Sequence, residues 1–180
     1  MILGPKKLLE LVKKVNLVEG LDKRELTYPE GAGFDIRLGE IHKLDGGKAF
    51  LGVTHRETPK TKTVAKYDAK KTSSYRLKPG EFVLMSSLET FNIPLDITVN
   101  FKPRTTTFRS GLMLRTGNVA PGYKGKVTFA AKNEGTIPIV FELGSRFAHA
   151  QFFRVEGGGS QYRGQWQGGR VTTKKRERQI

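Results

Sequence analysis

The rest of the chain is organised around residues 100–133, which read NFKPRTTTFRSGLMLRTGNVAPGYKGKVTFAAKN. The apolar runs GLMLR and KVTFAA are separated by GNVAPGYKG, in which Gly and Pro are typical of a turn between two strands. Such a turn can also present backbone amides and one aromatic ring, that of Tyr123, to a ligand. The stretch therefore predicts a strand–turn–strand unit that is also a candidate binding element.

A second signal in this stretch is PRTTTFR, where Arg104 and Arg109 flank the threonines at 105–107. Guanidinium groups bind phosphate oxygens through paired hydrogen bonds, and hydroxyl groups can satisfy the remaining lone pairs. The residues alone leave two interpretations open, because threonine, glycine and arginine are also found in ordinary sheets. The functional interpretation is a phosphate clamp, defined as Arg104–Arg109, beside a pocket for a base and a sugar.

Short apolar runs continue the strand pattern along most of the chain. FDIRL, KAFLGVT, EFVLMS, ITVNF, IPIVFEL and FAHAQFFRV recur between Gly, Pro, Asn and Asp, at spacings typical of a sandwich or barrel. Leu8, Leu11 and Val15 form a stripe at helical spacing after Pro5, which predicts an amphipathic helix over 6–18. We therefore expect an all-β, jelly-roll-like domain at 1–156 with an N-terminal helix, and a polar hairpin or exposed excursion at 54–76.

Composition excludes several kinds of chemistry. The 180 residues contain no cysteine, which rules out disulfides, thiol nucleophiles and zinc-dependent base deamination. His42, His55 and His149 lack the spacing of metal ligands, and neither a Walker loop nor a Ser-His-Asp relay is indicated. The absence of a signal-peptide pattern and of a long apolar run predicts a cytoplasmic protein without a membrane segment.

The formal charge of +15 predicts attraction to polyanions, whether triphosphates, nucleic acid or both. Basic residues concentrate at 60–78 and at 174–178, where the tail reads KKRER. Scattered cations are also what an ordinary solvated surface carries. The basic tail is therefore either a disordered end or an arm that binds nucleic acid.

Residues 157–180 differ in composition from the domain before them and form a separate C-terminal tail. The segment GGGSQYRGQWQGGR at 157–170 is rich in glycine, which predicts a flexible segment that orders only against another surface. Trp166, the only tryptophan, lies inside it. Two roles are open for its ring: packing on a neighbouring subunit or stacking on a base.

The chain resembles the superfamily of dCTP deaminases and trimeric dUTPases, and is most similar to the deaminase branch. Arg104, Thr105 and Thr106 resemble the arginine-serine-serine motif, and Arg109 matches a further arginine of the deaminases. The segments MILGPKKLLELV, GAGFDIRLG, LKPGEFVLMSSLETFNIP, GSRFAHAQFFRV and YRGQWQGG resemble other family motifs and follow the family order. The resemblance implies a dUTPase-type barrel, a homotrimer and a role in deoxyuridine nucleotide metabolism.

The resemblance also implies a site for dCTP or dUTP. The base would pair with the backbone at Val119 and Ala120, the deoxyribose would lie against Tyr123, and Mg²⁺ would be carried by the phosphates. Thr105 and Arg109 would be the catalytic residues of a deaminase. The remaining nucleotide-binding positions would come from the phosphate clamp and the tail, at Arg104, Thr106, Tyr162, Gln165, Trp166 and Gly169.

The positions that carry general acid–base chemistry in the family differ here. Ala120 stands where the dUTPases have an aspartate, and Ala130 stands where the deaminases have a glutamate. Loss of a positioned general base typically lowers a rate by about 10²- to 10⁴-fold. The tail also departs from the family, with Gln165-Trp166 in place of lysine-tyrosine, and His149 replaces a glutamine.

Three explanations remain open from the sequence. The chain is a catalytically silent nucleotide-binding or regulatory protein, or it has been altered at the two alanines, or another carboxylate acts as the base. Asp35, Asp96 and Glu134 are the carboxylates nearest the motifs in sequence. A nucleic-acid-binding protein on the same scaffold is the alternative from a different functional class.

Overall fold

The computed structural model describes residues 1–179. Its helices are α1 Pro5–Val15, α2 Lys23–Thr27 and α3 Thr105–Arg109. Its strands are β1 Val18–Glu19, β2 Phe34–Leu44, β3 Phe50–Leu51, β4 His55–Glu57, β5 Thr61–Lys66, β6 Ser74–Leu77, β7 Phe82–Ser87, β8 Thr90–Asn92, β9 Ile97–Pro103, β10 Leu112–Arg115, β11 Lys124–Gly125, β12 Thr128–Asn133, β13 Ile139–Glu142, β14 Arg146–Arg154 and β15 Glu177–Arg178. The predicted β fold with an N-terminal helix is confirmed.

The main sheet curls into a nearly closed barrel. Its strands run in the order β10-β12-β7-β2-β14-β9, and β5 also pairs with β2. The strand β2 is long enough to pair with β14 through its first half and with β5 through its second half. An isolated bridge between Val99 of β9 and Val119 brings the chain after β10 back to the far edge of the sheet. The barrel thus closes at the segment that the sequence predicts to be the turn between two strands.

Phenylalanine rings fill the centre of the barrel. Five of them are fully buried, and they are Phe34, Phe91, Phe129, Phe147 and Phe152. The rings of Phe129 and Phe147 meet edge to face, with centroids 4.9 Å apart. Such contacts are worth about 0.5–1.5 kcal/mol each beyond the area they bury.

Helix α1 covers one end of the core. Pro5 begins it because the fixed φ of proline suits the first helical turn, and Leu8 on its inner face is fully buried. The helix ends at Val15 rather than at Val18, because Asn16 adopts the left-handed conformation (φ 51°) and its N–H caps the last turn. Val18 instead begins β1. None of the helices within residues 1–179 is long and apolar enough to cross a membrane.

The polar stretch 54–76 is divided among several sheets. It supplies β4, β5 and most of β6, and β5 extends the barrel sheet through its pairing with β2. The two-residue strand β15 pairs with β4, which in turn pairs with β3. An accessory three-stranded sheet is thereby attached to the side of the barrel.

The glycine-rich tail folds back over the barrel. Tyr162 donates its backbone N–H to the carbonyl of Pro121, and Gly168 donates to Lys124, both at 2.8 Å. The sequence predicted that residues 157–170 order only against another surface. In the structure, the surface on which they fold belongs to the same chain.

Candidate functional site

A cavity of about 530 Å³ lies between the outer face of the barrel sheet and the C-terminal tail. Its floor is formed by Phe82, Leu84 and Ala130 with the neighbouring Thr128, and its wall by the segment 116–120. The tail roofs it with Tyr162, Trp166, Arg170 and Val171, and Thr58-Pro59 closes one side. The volume falls within the range of small-molecule sites, about 300–1,000 Å³.

The alternation of strand β12 explains why Ala130 is in the floor. Phe129 and Ala131 are buried in the core, so Ala130 points to the opposite face of the sheet. In the register it lies directly between Leu84 on β7 and Arg115 on β10. A side chain at position 130 therefore meets an apolar neighbour on one side and a cation on the other.

The wall segment presents unpaired backbone groups. Val119 exchanges both of its backbone hydrogen bonds with Val99, at 2.8 and 3.0 Å. Because alternate residues of an extended segment turn their backbone groups to opposite sides, those of Asn118 and Ala120 face away from β9. Within the described residues, the N–H and C=O of Asn118 and the N–H of Ala120 have no protein partner. Along the cavity wall, the free groups are therefore a donor and an acceptor on Asn118 followed by a donor on Ala120.

Tyr123 anchors the base of the wall. Only 7% of its surface is exposed, and its hydroxyl donates to the carbonyl of Lys126 at 2.5 Å. Its ring meets that of Tyr162 edge to face, with centroids 5.5 Å apart. Burial, together with the neighbouring Tyr162, raises the pKa of Tyr123 to about 12, so the phenol stays neutral. The ring of Tyr123 is part of the cavity lining, and its contact with a deoxyribose stays a prediction.

The tail residues divide into those that line the cavity and those that hold the tail. Trp166 lines it and is flanked by the guanidinium groups of Arg56 and Arg170, at 5.8 and 6.0 Å from the ring centroid. Gln165 does not line it, and instead contacts Arg56 and Glu177. Gly169 packs against the backbone at Gly125, so closely that a Cβ on Gly125 would lie 2.4 Å from the Gly169 nitrogen.

The phosphate clamp lies outside the cavity lining. Arg104 precedes helix α3 and binds the carboxylate of Asp35 at 2.9 Å. Thr105, Thr106 and Arg109 are exposed on the short helix α3. Within one chain, therefore, the structure does not bring the clamp and the cavity together.

Asp35 is the centre of an ion cluster beneath the clamp. Its carboxylate accepts hydrogen bonds from His149 at 2.9 Å and from Arg146 at 3.0 Å, and it also forms the ion pair with Arg104. Burial opposes ionisation of Asp35, but the hydrogen bond from His149 and the charges of the two arginines outweigh it and lower its pKa. The buried carboxylate is consequently a structural partner of Arg104.

The other two histidines have ordinary structural partners. His42 is buried and bonds to the hydroxyls of Thr63 and Ser86, at 3.0 and 3.1 Å. Burial lowers the pKa of His42, so its ring is neutral at pH 7. His55 is exposed and bonds to Thr54.

Among the described residues that line the cavity there is no carboxylate, histidine or cysteine. The three candidate substitute bases are engaged elsewhere: Asp35 in its cluster, Asp96 with Arg154, and Glu134 with Lys132. Two cations, Lys126 and Arg170, do line the cavity. The cavity is therefore apolar with a positive bias.

Sequence reasoning missed Lys126, Arg170 and Thr128 as lining residues. Lys126 could have been found, since it stands three residues after Tyr123 in the turn. Arg170 could not, because only the folding of the tail onto β11 brings it to the cavity. Among residues 1–179, no group of three or more His, Cys, Asp or Glu side chains is placed to hold a metal ion.

The chain is thus a β-barrel protein with a cavity between a strand-connecting segment and a folded-back tail, and the size of this cavity is that of a small-molecule site. Comparison with known proteins then specifies the family. The model of the dCTP deaminase-like family matches residues 2–155, and the chain belongs to this family. The resemblance to this family, which was stated from the sequence motifs, is thereby confirmed.

Individual relatives carry names from both branches of the superfamily. A probable deoxyuridine 5′-triphosphate nucleotidohydrolase of Methanopyrus kandleri is 30% identical over 128 residues, covering 71% of this chain and 80% of that protein. A dCTP deaminase of Thermococcus gammatolerans is 28% identical over 160 residues, covering 88% of each chain. The family thus places this chain among proteins of dCTP and dUTP metabolism.

A solved structure shows the same fold. The crystal structure of the 2′-deoxycytidine 5′-triphosphate deaminase from Agrobacterium tumefaciens superposes with a TM-score of 0.62 at 20% identity. The match covers 86% of this chain and 48% of that chain, so this chain spans about half the length of that protein. The dUTPase-type barrel predicted from the motifs is confirmed.

Proposed function

We propose that the chain binds a pyrimidine deoxynucleoside triphosphate in the cavity between the wall segment 116–120 and the tail, with dUTP preferred to dCTP. It releases little or no product, because the positions of the two family bases hold Ala120 and Ala130. The observation that carries the proposal is the cavity itself, which has unpaired backbone groups in its wall and no carboxylate among the described residues that line it. Family membership supports the ligand class.

The order of the free backbone groups supports the preference for uracil. A uracil ring presents acceptor, donor and acceptor along its O4, N3 and O2 edge, whereas cytosine presents a donor amino group and two acceptors. The donor, acceptor and donor of Ala120 and Asn118 complement the edge of uracil. Against cytosine, one donor would face the amino group and one acceptor would face a ring nitrogen, and unpaired buried polar groups cost about 1–3 kcal/mol each.

The rest of the cavity suits the rest of the nucleotide. The ring of Tyr123 offers an apolar surface to a deoxyribose, and Trp166 covers the cavity from the tail. Lys126 and Arg170 supply positive charge without an acidic side chain in the lining to oppose it. The magnesium ion expected with the nucleotide would be held by its phosphates, since such ions are usually bound through few protein ligands.

The position of the phosphate clamp supports assembly as a homotrimer. Arg109, Thr105 and Thr106 are exposed and lie outside the cavity of their own chain. A triphosphate that extends from one cavity can meet the clamp of a neighbouring chain, which is the arrangement that the family resemblance implies. Thr105 and Arg109 would then act on a nucleotide bound mainly by another subunit.

Titration calorimetry with dUTP and dCTP, each with magnesium, tests the proposal. We expect dUTP to bind at least tenfold more tightly than dCTP, which corresponds to about 1.4 kcal/mol. The sole tryptophan, Trp166, lines the cavity, so its fluorescence should change on saturation with either nucleotide. Arg109→Ala should weaken binding of the triphosphate by about 1.5–3 kcal/mol, since one charge-assisted contact is lost.

Arg109 is a better probe of the clamp than Arg104, because removing Arg104 would also deprive the buried Asp35 of a cation. Lys132→Ala is a suitable control, since this exposed lysine pairs with Glu134 away from the cavity lining. Equal affinity for dUTP and dCTP would refute the proposal that the backbone groups of Asn118 and Ala120 pair with uracil in preference to cytosine. Failure of both nucleotides to bind would refute the proposed function as a whole.

A further inference from the structure

The structure brings together two basic segments that are far apart in the sequence. Strand β15 in the tail pairs with β4, with Arg178 opposite His55 and Glu177 opposite Arg56. The backbone N–H of Thr58 donates to the hydroxyl of Thr173, and the hydroxyls of Thr58 and Thr172 are hydrogen-bonded to each other, which fixes the same tail to the chain after β4. We define residues 48–57 and 174–179 as the basic lobe.

The charges of the basic lobe are unbalanced. Its carboxylates are Glu57 and Glu177, and they already face Arg176 at 3.8 Å and Arg170 at 2.6 Å. Four further cations are exposed and form no ion pair with a described carboxylate, and they are Lys48, Lys174, Lys175 and Arg178. The lobe therefore presents a local excess of positive charge rather than a set of neutralised pairs.

The two faces of this small sheet have different partners. Residues directly opposite each other share a face, so Arg56 and Glu177 lie on one side, where Arg56 also contacts Trp166 at the cavity roof. Phe50, Glu57 and Arg176 lie on the other side, where the guanidinium of Arg176 sits 4.2 Å from the ring centroid of Phe50. The second face is turned away from the cavity.

Apolar side chains are exposed beside these cations. Leu51 is 89% exposed and Val53 is 98% exposed; Leu51 ends β3 and Val53 lies in the turn of the β3–β4 hairpin. Leu51 is opposite Arg56 in the register, so it projects from the first face, whereas Phe50 projects from the second. Isolated exposed apolar residues are common, but a hairpin tip that combines them with unpaired cations offers two kinds of contact at once. Cations suit a phosphate backbone, and apolar side chains suit the faces of unstacked bases.

We propose that the basic lobe binds single-stranded nucleic acid, at a surface separate from the nucleotide cavity. A single strand exposes its bases to Leu51 and Val53 at the hairpin tip, whereas a duplex hides them and offers only its phosphates. The cations contact the backbone without reading a sequence. This surface goes beyond nucleotide binding and does not depend on it.

Fluorescence anisotropy with a labelled oligothymidylate, at a series of salt concentrations, tests this inference. In the lobe variant, Lys48, Lys174, Lys175 and Arg178 are each changed to Gln. For a single strand, a plot of log K against log salt has a slope of about −0.7 per neutralised phosphate. Because the variant lacks four cations, its slope should be shallower than that of the unmodified protein by up to about 2.8. It should also bind the oligonucleotide at least tenfold more weakly at low salt. The matched control changes Lys6, Lys7, Lys13 and Lys14 on α1 to Gln, which removes the same charge from another exposed surface and should change binding much less.

A second variant, Leu51→Ser with Val53→Ser, separates the apolar contact from the charge. It should weaken single-strand binding severalfold while keeping the salt slope, and the high exposure of both residues leaves folding unaffected. The change in Trp166 fluorescence with dUTP reports whether each variant retains its cavity. The proposal would be overturned if the lobe and α1 variants lost the same amount of affinity, or if the oligothymidylate did not bind at all. It would also be overturned if a duplex or anionic phospholipid vesicles bound as tightly as the oligothymidylate or more tightly.

Discussion

Ala120→Asp is expected to raise the release of diphosphate from dUTP by about 10²-fold or more, which is the usual contribution of a positioned general base. Ala120 lines the cavity wall and directly precedes the turn that holds Tyr123. A carboxylate there can accept the proton of the water whose oxygen attacks the α-phosphorus, as the bond to the β-phosphate oxygen breaks. Chromatographic separation of dUMP from dUTP measures the effect.

Ala120→Asn is the matched control, because the amide has nearly the same shape but cannot accept the proton at neutral pH. It should leave the rate unchanged. Affinity for dUTP should change little in either variant, since the base acts on the transition state. An Asp variant that binds dUTP normally yet stays as slow as the Asn variant would show that position 120 is not where a base must stand.

Gly125→Val is expected to weaken dUTP binding at least tenfold by displacing the tail from the cavity. Gly125 adopts φ 138°, and a Cβ there would lie 2.4 Å from the backbone nitrogen of Gly169, where no flexible side chain can yield. The roof residue Trp166 precedes this contact, so its cover over the cavity is lost with it. Calorimetry gives the affinity, and the fluorescence of Trp166 should shift toward that of an exposed indole even without ligand.

Gly20→Val separates steric displacement from backbone strain. Gly20 also has a positive φ of 76°, but a Cβ there meets nothing within 4 Å. The control should therefore lower stability without changing the affinity of the folded protein for dUTP. Equal loss of affinity in the two variants would mean that the tail contact does not close the cavity.

Sequence patterns were sufficient to predict the secondary-structure elements that depend on residues close together in the chain. Pro5 and the leucine stripe predicted α1, and the apolar run KVTFAA predicted the strand that the structure shows as β12. The C-terminal limit of α1 was missed by three residues, because the left-handed conformation of Asn16 is not visible in an apolar stripe that continues to Val18. The motifs also led to the correct family.

Long-range contacts determined what the sequence could not predict. Trp166 lies over a cavity of its own chain because Gly168 and Gly169 dock on β11 and β15 pairs with β4, and neither contact has a local signature. Arg104 was predicted as a cation for phosphate, yet Asp35, almost seventy positions earlier in the chain, binds it. The separation of clamp and cavity likewise follows from the barrel topology rather than from their closeness in sequence.

The most direct test of nucleotide binding without turnover uses the unmodified protein with dUTP and with dCTP, each in the presence of magnesium. Trp166 fluorescence follows occupancy of the cavity while chromatography separates dUMP, dUTP and dCTP. We predict saturable occupancy, tighter for dUTP, with product formation far below rates ordinary for enzymes. Turnover of either nucleotide at about 1 per second or faster would contradict this, since it would require a general base that the cavity lining of one chain does not contain.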